Sequence, residues 1–139
     1  MNTYTVVVKS RNRVSGNQAN FNIKFGHVLP DDKQVFKCRV SAMITEKEDL
    51  GDITNINTDL ALSIALVADF PYINYYSTSG NVNPIAFINY HMEYQFHEFL
   101  ISNINYQTIN FHYIDSLDYQ ISADTFHESI IVLAFESVQ

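Results

Sequence analysis

A two-residue rhythm runs along this chain from end to end. About eight short β runs alternate with turns and no long amphipathic helical pattern interrupts them, which restricts the chain to an all-β domain. The cleanest runs set Phe21, Ile23 and Phe25 against Asn20, Asn22 and Lys24, and Phe36, Cys38, Val40, Ala42 and Ile44 against Lys37, Arg39, Ser41 and Thr45. Each pattern gives a strand with one dry face. Thr3 to Lys9, Leu60 to Ala68, Ile85 to Tyr90, Phe96 to Ile101, Ile109 to Ile114 and Ile130 to Glu136 supply the others, rich in β-branched and aromatic residues that suit a pleated surface. Leu60 to Ala68 reads as a strand, with a short buried helix as the alternative, because an apolar run of that length has no decisive period. Tyr113 to Ser129, carrying Asp115, Ser116, Asp118, Ser122 and Asp124, reads as a connection. Gly16, Gly26, Gly51, Gly80, Pro30 and Pro71 fall between runs and Pro84 just precedes one, where a missing N–H does no harm to a ladder.

The 139 residues make one domain, 1–139, large enough to bury about two-thirds of its unfolded surface without staples. Cys38 is the only cysteine, so an internal disulfide is impossible. Its place on the apolar side of its run makes it a buried structural thiol, in keeping with a reducing compartment. Met1-Asn2-Thr3-Tyr4 enters a strand directly and no stretch approaches the roughly 18 apolar residues of a span, so neither a signal peptide nor a transmembrane segment is expected.

Charge is distributed unevenly. All eight Lys and Arg precede residue 48, where three acids bring the balance to +5; the remainder holds twelve acids and no Lys or Arg, giving −12 within a net charge of −7. Two readings follow: basic N-terminal strands pair with acidic later strands inside one domain, or one subunit's basic edge meets its neighbour's acidic edge in a ring. Nucleic-acid binding is disfavoured, because the basic residues alternate with core residues or sit in a turn and form no broad positive surface.

Motifs that carry chemistry are few. There is no phosphate-cradling Gly-rich loop, Gly-x-Ser-x-Gly elbow, Cys-x-x-Cys or His-Glu-x-x-His. His91, Glu93, Gln95 and His97 would share one face of a strand, with His112 and His127 available from later segments. They are the candidates for a cupin-like metal site, although Gly is absent from residue 81 onward, where such a site needs turn glycines. The bland reading is that these histidines are ordinary rim residues and that no catalytic residue, metal or cofactor is present. Tyr72, Tyr75 and Tyr76 lie in a loop-like segment with Asn74, Ser77, Thr78, Ser79 and Gly80; they read either as a contact surface or as a loop folded over a sheet end.

The N-terminal hairpin carries a resemblance. Val6 to Lys9 ends in Ser10-Arg11-Asn12-Arg13, a loop with Gly16 follows, and Asn20-Phe21-Asn22-Ile23-Lys24-Phe25 returns. This resembles the opening of the single jelly-roll penton and minor capsid proteins of icosahedral double-stranded DNA viruses. In those proteins a strand ends in a Ser-x-x-Arg turn, a Gly or Ser loop follows, and an Asn/Asp-Phe-x-Ile/Val-x-Phe/Leu strand returns. The resemblance covers about the first 45 residues, and Thr45 to Leu50 departs from the family's polar motif after the third strand. It implies an all-β, single jelly-roll β-sandwich of about eight antiparallel strands, with Arg11, Arg13 and Gly16 at a turn or subunit contact. It also implies a structural, non-enzymatic role without cofactors: a virion subunit made in the host cytoplasm, partnered by major and minor capsid proteins. Such a subunit would be a homo-oligomer, a pentamer if it occupies a vertex. The competing classes are a fibre-head or lectin-like module holding a glycan on Tyr72, Tyr75 and Tyr76, and a cupin-type metalloenzyme.

Overall fold

The computed structural model describes residues 2–31, 33–47, 64–73, 84–88, 94–114 and 126–138. Their strands are β1 (Thr3–Lys9), β2 (Ser15–Asn17), β3 (Asn20–Lys24), β4 (Phe36–Lys47), β5 (Ile64–Ala68), β6 (Pro84–Ile88), β7 (Tyr94–Phe96), β8 (Glu98–Ile101), β9 (Thr108–Ile114) and β10 (Phe126–Ser137), with one 3-10 turn at Ser10–Asn12. Two antiparallel sheets pack as a sandwich, ordered β1-β10-β4-β8 and β2-β3-β9-β5-β6-β7. The short strands β2 and β7 lie at the margins. Numbering the other eight in chain order, the sheets read 1-8-3-6 and 2-7-4-5, the arrangement of a jelly roll.

Leu60 to Ala68 resolves as a strand over its described part, β5, whose five residues are all buried. A strand dry on both faces loses the alternation that would have identified it, which explains the helical alternative. Phe21, Ile23 and Phe25 point into the core as their alternation requires, and Cys38 is a fully buried free thiol whose pKa burial raises well above its ordinary value. Phe21 stacks on Phe111 at 5.5 Å; Phe70 meets Phe111 at 5.6 Å and Phe99 at 5.4 Å, so aromatic rings bridge the two sheets.

Three sequence expectations need correction. The face assigned to β4 holds only as far as Val40. Against β10, Val40 pairs with Leu133 but Ala42 with Val132, so Ser41 is an extra residue and the strand bulges there. One inserted residue exchanges the two faces beyond it. Ile44 is therefore 59% exposed, whereas Met43 and Thr45 are buried. Phe96 to Ile101 is not one strand: the ladder breaks at His97, and β7 belongs to the six-stranded sheet while β8 belongs to the four-stranded one. Finally, β10 begins at Phe126, so strand residues occupy the far end of the segment expected to be a connection, while Ile109 to Ile114 is a strand as expected.

Candidate interaction site at the N-terminal turn

Where β1 leaves its sheet, the 3-10 turn brings Ser10 and Arg13 together. The Arg13 backbone N–H donates to the Ser10 carbonyl at 3.2 Å, and Arg13 Nη1 donates to that same carbonyl at 3.0 Å. Nη1 also reaches both carboxylate oxygens of Glu128 on β10, at 2.8 and 3.1 Å. Ser10 Oγ donates to Glu128 Oε2 at 2.6 Å and accepts from the Ser129 backbone N–H at 2.8 Å. Tyr113 O–H continues the chain by donating to Ser129 Oγ at 2.8 Å, with Thr45 Oγ1 3.4 Å from the phenol oxygen. Ser10, Thr45, Tyr113 and Ser129 are all buried, and no buried side-chain N or O among the described residues lacks a partner. A polar network with every group satisfied fixes one geometry, here the exit angle of β1 over the last strand.

The electrostatics follow from these contacts. Burial pushes the Glu128 carboxyl up. The hydrogen bonds from Ser10 and Arg13 and the positive charges of Arg13 and Arg11 outweigh that, leaving it below its ordinary 4.5. Burial raises the Tyr113 phenol to about 12 against the opposing bonds from Ser129 and Thr45, so it is a neutral donor across the working pH range. Ser10 Oγ has its proton committed to Glu128 and a lone pair committed to Ser129; the clamp is a joint within the fold. Beside it lies a groove of about 420 Å³ lined by Lys9, Arg11, Gln18, Ile44, His127 and Ile130, among others.

Gly16 sits in β2 with φ +96°, a conformation that glycine alone adopts without strain. Tyr72 is half-buried: its O–H donates to the Ala68 carbonyl at 2.6 Å and its ring meets Phe99 at 5.2 Å, so this tyrosine is folded onto the sheet end. Tyr75 and Tyr76 lie outside the described residues, as do His91 and Glu93. The other candidate histidines occupy separate settings. His97 meets the Phe87 ring at 5.1 Å, His112 Nδ1 is 2.8 Å from Asn110 Oδ1, and His127 lines the groove. Among the described residues no three His, Cys, Asp or Glu converge as metal ligands.

Glu128 and Ser129 are the contact residues that sequence reasoning missed, because they fall in the stretch read as a connection. The charge asymmetry held the signal: a turn arginine needs an acid, and every acid after residue 47 belongs to the half with no basic residue. Both described ion pairs join the two halves, Arg13 to Glu128 at 2.8 Å and Lys37 to Glu98 at 3.8 Å, so basic early strands do meet acidic later ones within the domain. No protein-family model, curated protein or solved structure matches the chain.

Stability should fall on acidification in two stages. Burial lowers the His112 pKa from its ordinary 6.5, against a smaller opposing effect of Asp69. Below pH 6.5 the unfolded chain therefore binds this proton more readily, and stability falls as pH drops towards the folded value. Glu128 works in the next window, because its contribution is complete above 4.5 and is lost as pH falls through its lower folded pKa. Melting temperatures measured from pH 7.5 to 3 check this: His112→Asn should flatten the first stage and Glu128→Gln the second. A parent melt unchanged between pH 7.5 and 5.5 would contradict the first assignment.

Proposed function

We infer that this chain is a structural subunit of the icosahedral shell of a double-stranded DNA virus or a virus-derived particle, either a penton or a minor capsid protein. The observation that carries this reading is the strand order. The resemblance of the N-terminal hairpin implied a single jelly roll, and the two sheets are ordered 1-8-3-6 and 2-7-4-5. A sandwich of this kind gathers its connections at two ends and leaves faces and sides free to meet neighbours. Of the residues on which the resemblance rests, Ser10 and Arg13 hold the turn that ends β1, Gly16 lies in β2, and Asn20, Phe21 and Ile23 lie in β3, with Phe25 just after it. In this reading the protein acts by shape, as a homo-oligomer among major and minor capsid proteins.

The test is location together with assembly. Antibody labelling or mass spectrometry of purified particles should find the chain in the shell at a fixed copy number. Arg13→Ala should fold, with a loss of about 1 kcal/mol for a half-exposed ion pair, yet be incorporated less well if the turn faces a neighbour. Absence of the chain from intact particles would remove the shell reading.

A further inference from the structure

Among the described residues, the four-stranded sheet has one edge that nothing covers. At the far edge, β8 is only four residues long and is covered, since Ile73 N–H donates to the Leu100 carbonyl at 2.8 Å and Tyr72 bridges Ile101. In the other sheet the marginal strands β2 and β7 have three residues each. β1 differs. Its seven residues, Thr-Tyr-Thr-Val-Val-Val-Lys, keep unbroken register with β10 and contain no proline, glycine or bulge, and its one charge stands at the end. Natural sheets normally protect such an edge with the devices that β1 lacks.

The hydrogen-bond phase shows which groups are presented there. Ser137 N–H donates to the Asn2 carbonyl and Val138 N–H to the Val35 carbonyl. In β10, odd-numbered residues thus bond β1 and even-numbered residues bond β4. By the antiparallel alternation, Tyr4, Val6 and Val8 exchange bonds with Phe135, Leu133 and Ile131, while the N–H and C=O groups of Thr3, Thr5, Val7 and Lys9 point off the sheet. Tyr4 and Val6 face the core side and pack against it, yet both remain partly exposed, and Val7 on the outer face is 52% exposed.

We propose that this edge is a homotypic interface: a second copy of the chain adds its β1 antiparallel to the first, about a two-fold axis through Val6. This register engages the whole strand, setting Thr3 against Lys9 and Thr5 against Val7 of the other copy as the hydrogen-bonded pairs. On the core side Val6 then meets Val6, and Tyr4 lies across from Val8, which is already buried in its own copy. β-branched and aromatic cross-strand pairs are those that stabilise a sheet, and a two-fold contact requires such self-complementarity. Charge is complementary as well. Thr3 lies opposite Glu136 on β10, so the row across the joint runs from Lys9 of one copy over the short Thr3 to Glu136 of the other, on the same outer face. Neither Lys9 nor Glu136 makes an ion pair among the described residues; Lys37, opposite Glu136 on β4, pairs with Glu98 instead. Within one chain they cannot meet, because they are six residues apart along the sheet, about 20 Å. The contact consumes only the β1 edge and stands independently of the shell reading.

Sedimentation equilibrium of the full chain is the experiment. The parent should dimerise. Val7→Pro removes an N–H that points off the sheet and none that β10 uses, so it should be monomeric with a near-parental melt. Lys9→Glu should weaken the dimer by about tenfold or more at low salt by opposing Glu136 of the other copy, and Lys9→Glu with Glu136→Lys should restore it. A parent that stays monomeric at high concentration, an assembly of any size that Val7→Pro leaves intact, or a double variant no tighter than Lys9→Glu alone would overturn the proposal. A pentamer insensitive to Val7→Pro would do so while favouring the shell reading.

Discussion

Phe21→Ala is expected to lower stability by about 3–5 kcal/mol, which for a domain of this size moves the melting temperature by roughly 10–20 °C. The ring is fully buried on β3, directly opposite Phe111 in the ladder with β9, and the two stack at 5.5 Å. Phe111 in turn meets Phe70 and Phe25, so truncation leaves a cavity in the middle of an aromatic stack and the neighbours cannot collapse into it without losing their own contacts. Marginal stability makes such a loss decisive. Thermal and urea melts of the variant provide the measurement, and a melt within a degree or two of the parent would mean that β3 does not anchor this core.

Gly16→Ala comes next in size, with an expected loss of about 2 kcal/mol or more, roughly 6–10 °C. At φ +96° an added Cβ would stand 2.2 Å from the Asn20 carbonyl oxygen and 2.9 Å from the Phe21 Cα. Both are backbone atoms of the paired strand, so relief requires the β2–β3 hairpin to open and Phe21 to shift with it. Gly26 supplies the control, because nothing lies within 4 Å of a Cβ built there and Gly26→Ala should change stability by no more than about 0.5 kcal/mol. Equal melts for the two alanine variants would show that the hairpin tolerates the strain.

The N-terminal third was readable because there the local pattern and the tertiary environment agree. Thr3 to Lys9 and Asn20 to Lys24 are strands as their composition indicates, and the alternation of Phe21, Ile23 and Phe25 puts them inside. Cys38 is buried for the same reason: one face of its strand is apolar from Phe36 to Val40. Past Ser41 the same rule failed, since an extra residue opposite β10 costs nothing in local propensity yet exchanges every face after it. His97 failed similarly. A strand that leaves one sheet for the other reads in sequence as one β run, because Phe96 and Phe99 to Ile101 suit a strand in either sheet and no glycine or proline marks the crossing.

The clamp was half legible. Ser10, Arg13 and Gly16 stood out through their spacing, and the need for an acid near Arg13 was implicit in the division of charge. Glu128, more than a hundred residues away, could be chosen from twelve acids only by the ladder that lays β10 beside β1. By itself the sequence determined the all-β class, the core faces of the first strands and the turn at Ser10 to Gly16, all set by the period of two and by glycine's access to positive φ. The tertiary structure decided the strand order, the bulge, the partner of Arg13 and the place of β1 at a sheet edge. Those depend on which segments lie side by side, and side-by-side pairing is a property of the folded sheet that no local window contains.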